Sequence, residues 1–112
     1  MFEVPNMQAK IVNLCSNLQL APQEQVTFEE LKATVLIIAF RIESDGNLLL
    51  YIEGPGDPEW AVMDKTACYT GTTMWQCLLK KPDFRARVKN VSGNPVSVTI
   101  DLNMFERVAA EE

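Results

Sequence analysis

The sequence predicts an α+β fold in which an N-terminal helix packs on one face of a four- to five-stranded, mainly antiparallel sheet. Three observations predict it. Met7, Ile11, Leu14, Cys15 and Leu18 recur at i, i+4, i+7, i+8 and i+11, the apolar stripe of an amphipathic helix. Residues 35–42 form a run rich in strand formers. Phe84, Ala86 and Val88 alternate with Arg85, Arg87 and Lys89, and Val96, Val98, Ile100 and Leu102 alternate with Ser97, Thr99, Asp101 and Asn103. That period of two belongs to strands with one wet face.

Each element follows from local chemistry. Asn6 fits an N-cap for the first helix, and Pro22 lies just beyond its end. Thr27-Phe28-Glu29-Glu30 has the form of a capping box, so a short helical turn is expected over 28–33 before the strand begins. Ser44-Asp45-Gly46-Asn47 is turn chemistry, and 48–53 is expected to return as the partner strand of a hairpin. Gly54-Pro55-Gly56-Asp57-Pro58 reads as a stiff loop, after which 60–64 resumes an extended strand. Residues 74–80, after Thr70-Gly71-Thr72-Thr73, read as a short helix stopped by Pro82. The last two strands, joined through Ser92-Gly93-Asn94-Pro95, read as an antiparallel hairpin.

At 112 residues the chain has the size of one domain, and 1–112 is read as a single globular unit with a short flexible tail at 109–112. A domain of this length buries roughly 65% of the surface its unfolded chain exposes, enough to fold without staples. Apolar residues at 47% and charged residues at 22% are ordinary for such a fold. The three cysteines, Cys15, Cys68 and Cys77, are odd in number and form no C-x-x-C pair. Residues 1–5 lack the basic and long apolar segments of a secretory signal, and the apolar run 35–40 falls far short of the ~20 residues that span a bilayer. Asn90-Val91-Ser92 has the form of a glycan acceptor, without consequence inside a cell. The chain is therefore expected in the cytoplasm, with reduced thiols and no membrane contact.

Histidine is absent, which removes Ser-His-Asp and Cys-His catalysis and every imidazole-held metal. No cofactor and no metal are expected. Cys68 and Cys77 lie near Lys65, Tyr69 and Trp75 in the chain, and a basic neighbour can lower a thiol pKa toward nucleophilic use. With no usual general base at hand, burial is the plainer role for both.

Charge is unevenly placed. Residues 80–89 carry +4, and the total of −5 leaves −9 for the remainder. Arg85, Arg87 and Lys89 share one strand face at spacings of about 6.8 Å, a candidate docking strip for an acidic partner. The plain alternative is a solvated strand face. Nucleic acid is not expected as a partner, because Phe84 points away from the arginines and the acidic body repels a polyanion. Glu43 to Asp64 contains no cation, so Asp57, Glu59 and Asp64 form a candidate acidic surface, against the alternative of loop residues that aid solubility. Trp60, after the Gly/Pro loop, is either an interface anchor or core. Neither Gly54-Pro55-Gly56 nor Thr70-Gly71-Thr72-Thr73 has the residues of a phosphate-binding loop.

These features favour a non-enzymatic binding or regulatory module that acts through contact with another protein. Three other readings stand beside it. One is a mobile-element-encoded inhibitor that blocks a nucleic-acid enzyme with its acidic surface. Another is a small enzyme using carboxylates and tyrosine. The last is a structural subunit whose apolar strand edge builds an oligomer.

Overall fold

The computed structural model describes residues 7–56 and 59–107. Among these residues there are nine strands and no helix. They are β1 (Met7–Leu20), β2 (Gln25–Thr27), β3 (Leu31–Lys32), β4 (Ile37–Ser44), β5 (Leu48–Gly54), β6 (Ala61–Cys68), β7 (Gly71–Leu78), β8 (Asp83–Asn90) and β9 (Val96–Arg107). One sheet has the order β1-β9-β4-β7 and the other β2-β8-β5-β6, with β3 also on β8. Every pairing is antiparallel, and the pairs are nested: β1 with β9, β2 with β8, β4 with β7, β5 with β6. A single long hairpin, its tip in the loop between β5 and β6, has rolled up into two facing sheets. This is jelly-roll connectivity.

The core lies between the sheets. Phe40 and Ile42 from β4, Leu48, Leu50 and Ile52 from β5, Phe84 and Val88 from β8, and Ile100 and Leu102 from β9 are all sealed from solvent. Successive strands therefore stack face to face across the core. The turn at 44–47 hands the chain from one sheet to the other, so β4 and β5 do not form the expected hairpin, and the same holds for β8 and β9. Both strand pairs were legible from their apolar faces, but a shared apolar face drives stacking as readily as edge pairing. The 44–47 turn is pinned to β9: Asp45 Oδ1 accepts from the Ser97 N–H at 2.7 Å. A Cβ at Gly46 would meet Val96 Cγ2 at 2.5 Å, so a larger residue there would have to displace the buried Val96 side chain.

The α+β expectation is overturned by the N-terminal segment, which is a strand. Its apolar stripe has a different origin. The β1 register slips between Asn13 and Cys15 and again between Cys15 and Leu18, and Asn17 sits at φ 51°. Each bulge advances the side-chain phase, so Val12, Leu14, Cys15 and Leu18 all pack against the core, a spacing that imitates a helix. Ile11, a member of the supposed stripe, is 69% exposed. The expected helical turn at 28–33 is absent: the segment is extended and contains the short strand β3, which follows β2 along β8. The expected helix at 74–80 is the strand β7, with Trp75 and Cys77 turned inward and Met74 and Leu78 outward. Apolar residues on both faces hide the period of two. The tail at 109–112 lies outside the described residues.

Asn90 closes the fold at the end of β8. It is fully buried, and its Nδ2 donates to the carbonyls of Leu20 (3.1 Å) and Asn94 (2.8 Å). Both amide hydrogens are used inside the protein, so this acceptor sequence has no free amide for a glycan.

Candidate functional site

The alternation of β8 places Phe84, Ala86 and Val88 in the core and therefore Arg85, Arg87 and Lys89 on the outer face of the second sheet. Opposite them on β5, Tyr51 pairs with Arg87 and Glu53 with Arg85. The Glu53 carboxylate is 8% exposed and bridges both guanidinium groups. Arg85 Nε donates to Oε1 at 3.0 Å, and Arg87 Nε lies 3.4 Å from Oε2. Each arginine also lies over an aromatic ring: Arg85 4.6 Å from the Trp60 centroid, Arg87 4.0 Å from that of Tyr51. Arg87 further donates from Nη1 to Gln25 Oε1 at 2.7 Å.

Unlike the side chains of a freely solvated strand face, those of Arg85 and Arg87 are 31% and 19% exposed and held in place. Stacking on the rings is favourable by about 0.5–2 kcal/mol each, and the shared carboxylate fixes the guanidinium planes. Lys65, opposite Tyr51 on β6, and Lys89 flank the pair, so four cations stand against Glu53 and Asp83, the carboxylates of β5 and β8 on this face.

The acidic candidates do not converge in the same way. Glu59 is exposed beside Trp60, whereas Asp64 is in register with the inward-facing Ile52 and accepts from Cys77 Sγ at 3.6 Å. Asp57 lies outside the described residues. Trp60 is half-buried against Arg85; Trp75 stacks on Phe40 at 5.6 Å and belongs to the core side of β7.

No protein-family model matches the chain, and no curated protein matches it in sequence. Its fold does have a solved counterpart. The crystal structure of the PBSX exported protein XepA superposes at a TM-score of 0.73, with 14% identity over 92% of this chain and 39% of that one. A de novo designed double-stranded β-helix aligns at a TM-score of 0.45, with 18% identity over 90% of this chain and 99% of that one. The chain thus spans well under half of XepA, and at such identity the likeness is one of fold.

The thiols are free and unsuited to nucleophilic work. Burial pushes Cys68 up to about 11. Burial pushes Cys77 up to about 12, helped by the Asp64 carboxylate at its side. The basic neighbour that sequence proximity suggested, Lys65, does not offset this. Since only the thiolate attacks, on the order of one Cys77 in ten thousand is reactive at pH 8. Iodoacetamide at pH 8 should therefore label Cys68 about a hundredfold and Cys77 about a thousandfold more slowly in the folded protein than in urea, with the rate rising as pH climbs toward 11. Equal rates in both conditions would mean that the thiols are open.

Two residues of the site escaped the sequence reading. Both fell inside the expected strand 48–53, and neither Glu53 nor Tyr51 was singled out. The signal was present in the spacing: once β5 and β8 are paired, i and i+2 on one strand must meet i and i+2 on the other.

Proposed function

We propose that this chain is a non-enzymatic binding module that docks an acidic protein surface on the outer face of the β2-β8-β5-β6 sheet. The observation that carries the reading is the Glu53 clamp, which presents Arg85 and Arg87 already stacked on Trp60 and Tyr51. Arginine, tryptophan and tyrosine are the side chains that dominate interface energies, and here their rotamer entropy is already lost before binding. The cationic surplus of this face, set on a chain of net charge −5, steers an acidic partner toward it and away from the rest of the surface. The alternative of an inhibitor working through Asp57, Glu59 and Asp64 has less support, since Asp64 is engaged with Cys77.

The test is affinity capture from the native host with the intact chain, Trp60→Ala, Arg85→Glu and a control, Thr99→Ala, on the opposite sheet. A partner should be recovered by the intact chain and the control and lost with the other two. Its association rate should fall by about tenfold between low and high salt, because exposed charges act over about one Debye length. Equal recovery by all four proteins would overturn the reading.

A further inference from the structure

A two-sheet sandwich has four open strand edges, and unguarded edges pair with other chains. Three of them are guarded here. β1 is bulged twice, β2 and β3 are three and two residues long, and β6 carries Asp64 and Lys65 opposite a register shift at Ile52/Glu53. β7 is different. It runs in unbroken register with β4 from Ser44↔Gly71 to Ile37↔Leu78, and no charged residue or proline occurs between Gly71 and Leu79. No strand covers its outer side among the described residues. Its outward face carries two large apolar side chains in water, Met74 at 66% and Leu78 at 72% exposure.

We propose that β7 pairs antiparallel with β7 of a second copy of this chain, across a two-fold axis through Gln76. Three independent features agree on that register. The first is hydrogen bonding. The Leu79 N–H donates to the Leu36 carbonyl at 2.7 Å, so odd-numbered residues turn their backbone groups toward β4. The N–H and C=O groups of residues 72, 74, 76 and 78 therefore face away from β4 and are the ones a new strand can use. An axis through Gln76 sets Gln76 against itself and Met74 against Leu78 of the second copy, all as hydrogen-bonded pairs.

The second feature is apolar matching. Met74 and Leu78 are equidistant from Gln76, so the two exposed apolar side chains cover each other on both sides of the axis. Shifting the axis to Met74 would leave Leu78 facing Thr70. The third is charge. The same register brings Lys80 of one copy opposite Thr72 of the other. Thr72 and Gly71 line a polar cleft of about 350 Å³ together with Glu43 and Asp45. Glu43 is already paired with Arg41 at 2.6 Å, so the basic end of each β7 meets a cleft of net charge −1 on its mate, a modest attraction between two chains of net charge −5. The product is one continuous eight-stranded sheet.

Sedimentation of the intact chain, Gln76→Lys and Gln76→Cys tests this. The intact chain should sediment as a dimer. Gln76→Lys places two ammonium groups on the axis at an exposed position, so it should sediment as a folded monomer at the same concentration. Gln76→Cys should form a covalent dimer under mild oxidation, when the intact chain, with Cys68 and Cys77 buried and Cys15 half-buried with its thiol on the Val98 carbonyl, does not; Cys15→Ser in both chains isolates the bond at position 76. A monomeric intact chain at the highest soluble concentration would overturn the proposal. So would a dimer that survives Gln76→Lys and resists cross-linking at position 76. The Arg85 face lies on the other sheet, so its capture experiment is unaffected by either variant.

Discussion

Val88→Asp is expected to leave no folded protein at 25 °C, whereas Arg85→Ala and Arg87→Ala, three and one residues away, each cost about 1–2 kcal/mol. Val88 is fully buried between the sheets on the central strand β8, packed among apolar side chains. Its replacement forfeits about 1.5–3 kcal/mol of apolar burial and adds a carboxylate whose effective desolvation penalty is several kcal/mol more. Against a total stability of about 5–15 kcal/mol for a domain of this kind, little or nothing remains. The arginines face outward. Losing one removes a ring contact and one of two partners of Glu53, while the other guanidinium still neutralises that carboxylate. Urea titration followed by tryptophan fluorescence gives all three values. Equal costs would mean that β8 is one residue out of register, because such a slip exchanges its two faces.

What the sequence made legible follows the same logic. The faces of β8 and β9 were readable because over 84–89 and 96–103 each carries apolar residues on one side only, and no bulge interrupts their pairing with β5 and β4. β1 was not, because its two bulges shift the phase of Leu14, Cys15 and Leu18 into helical spacing. β7 was not, because Met74 and Leu78 add apolar residues to the wet face. That irregularity was itself the trace of an unpaired edge. The basic strip was legible as Arg85, Arg87 and Lys89, but the carboxylate holding it was not, since Glu53 lies 32 residues from Arg85 and only the β5–β8 register brings them together. Neither pairing partner of a sandwich strand is fixed by its own pattern. Nesting of the pairs decides it, through the order in which non-local edges can close without crossing.

Asn90→Leu is expected to cost about 3 kcal/mol, far more than its place at a strand end would suggest. The buried side chain uses its full hydrogen-bonding capacity. Nδ2 donates to Leu20 and Asn94, and Oδ1 accepts from the Ser92 N–H (2.9 Å) and Oγ (2.8 Å). Its backbone adds two bonds to the loop after β1: its N–H donates to Glu24 and its carbonyl accepts from Gln23, both at 2.9 Å. One residue thus joins the exit of β1, the entry to β2 and the turn that carries the chain into β9. Leucine has a similar volume, so packing loss is small, and the cost comes from the Leu20 carbonyl and the Ser92 N–H left without their partner, while the exposed Asn94 carbonyl keeps the Ser92 hydroxyl at 2.8 Å. Asn90→Asp separates this account from a general intolerance of the site. It keeps the acceptor for Ser92 but turns oxygen lone pairs toward two carbonyls, so the new carboxyl holds its proton more tightly in the folded state than in the unfolded one. A group with a raised folded pKa gives stability that is present at low pH and lost as pH rises. Asn90→Asp should therefore be more stable at pH 4 than at pH 7 relative to the intact chain, while the deficit of Asn90→Leu should not change with pH. A deficit for Asn90→Asp that is flat between those pH values would mean that the amide hydrogens of Asn90 do not hold Leu20 and Asn94.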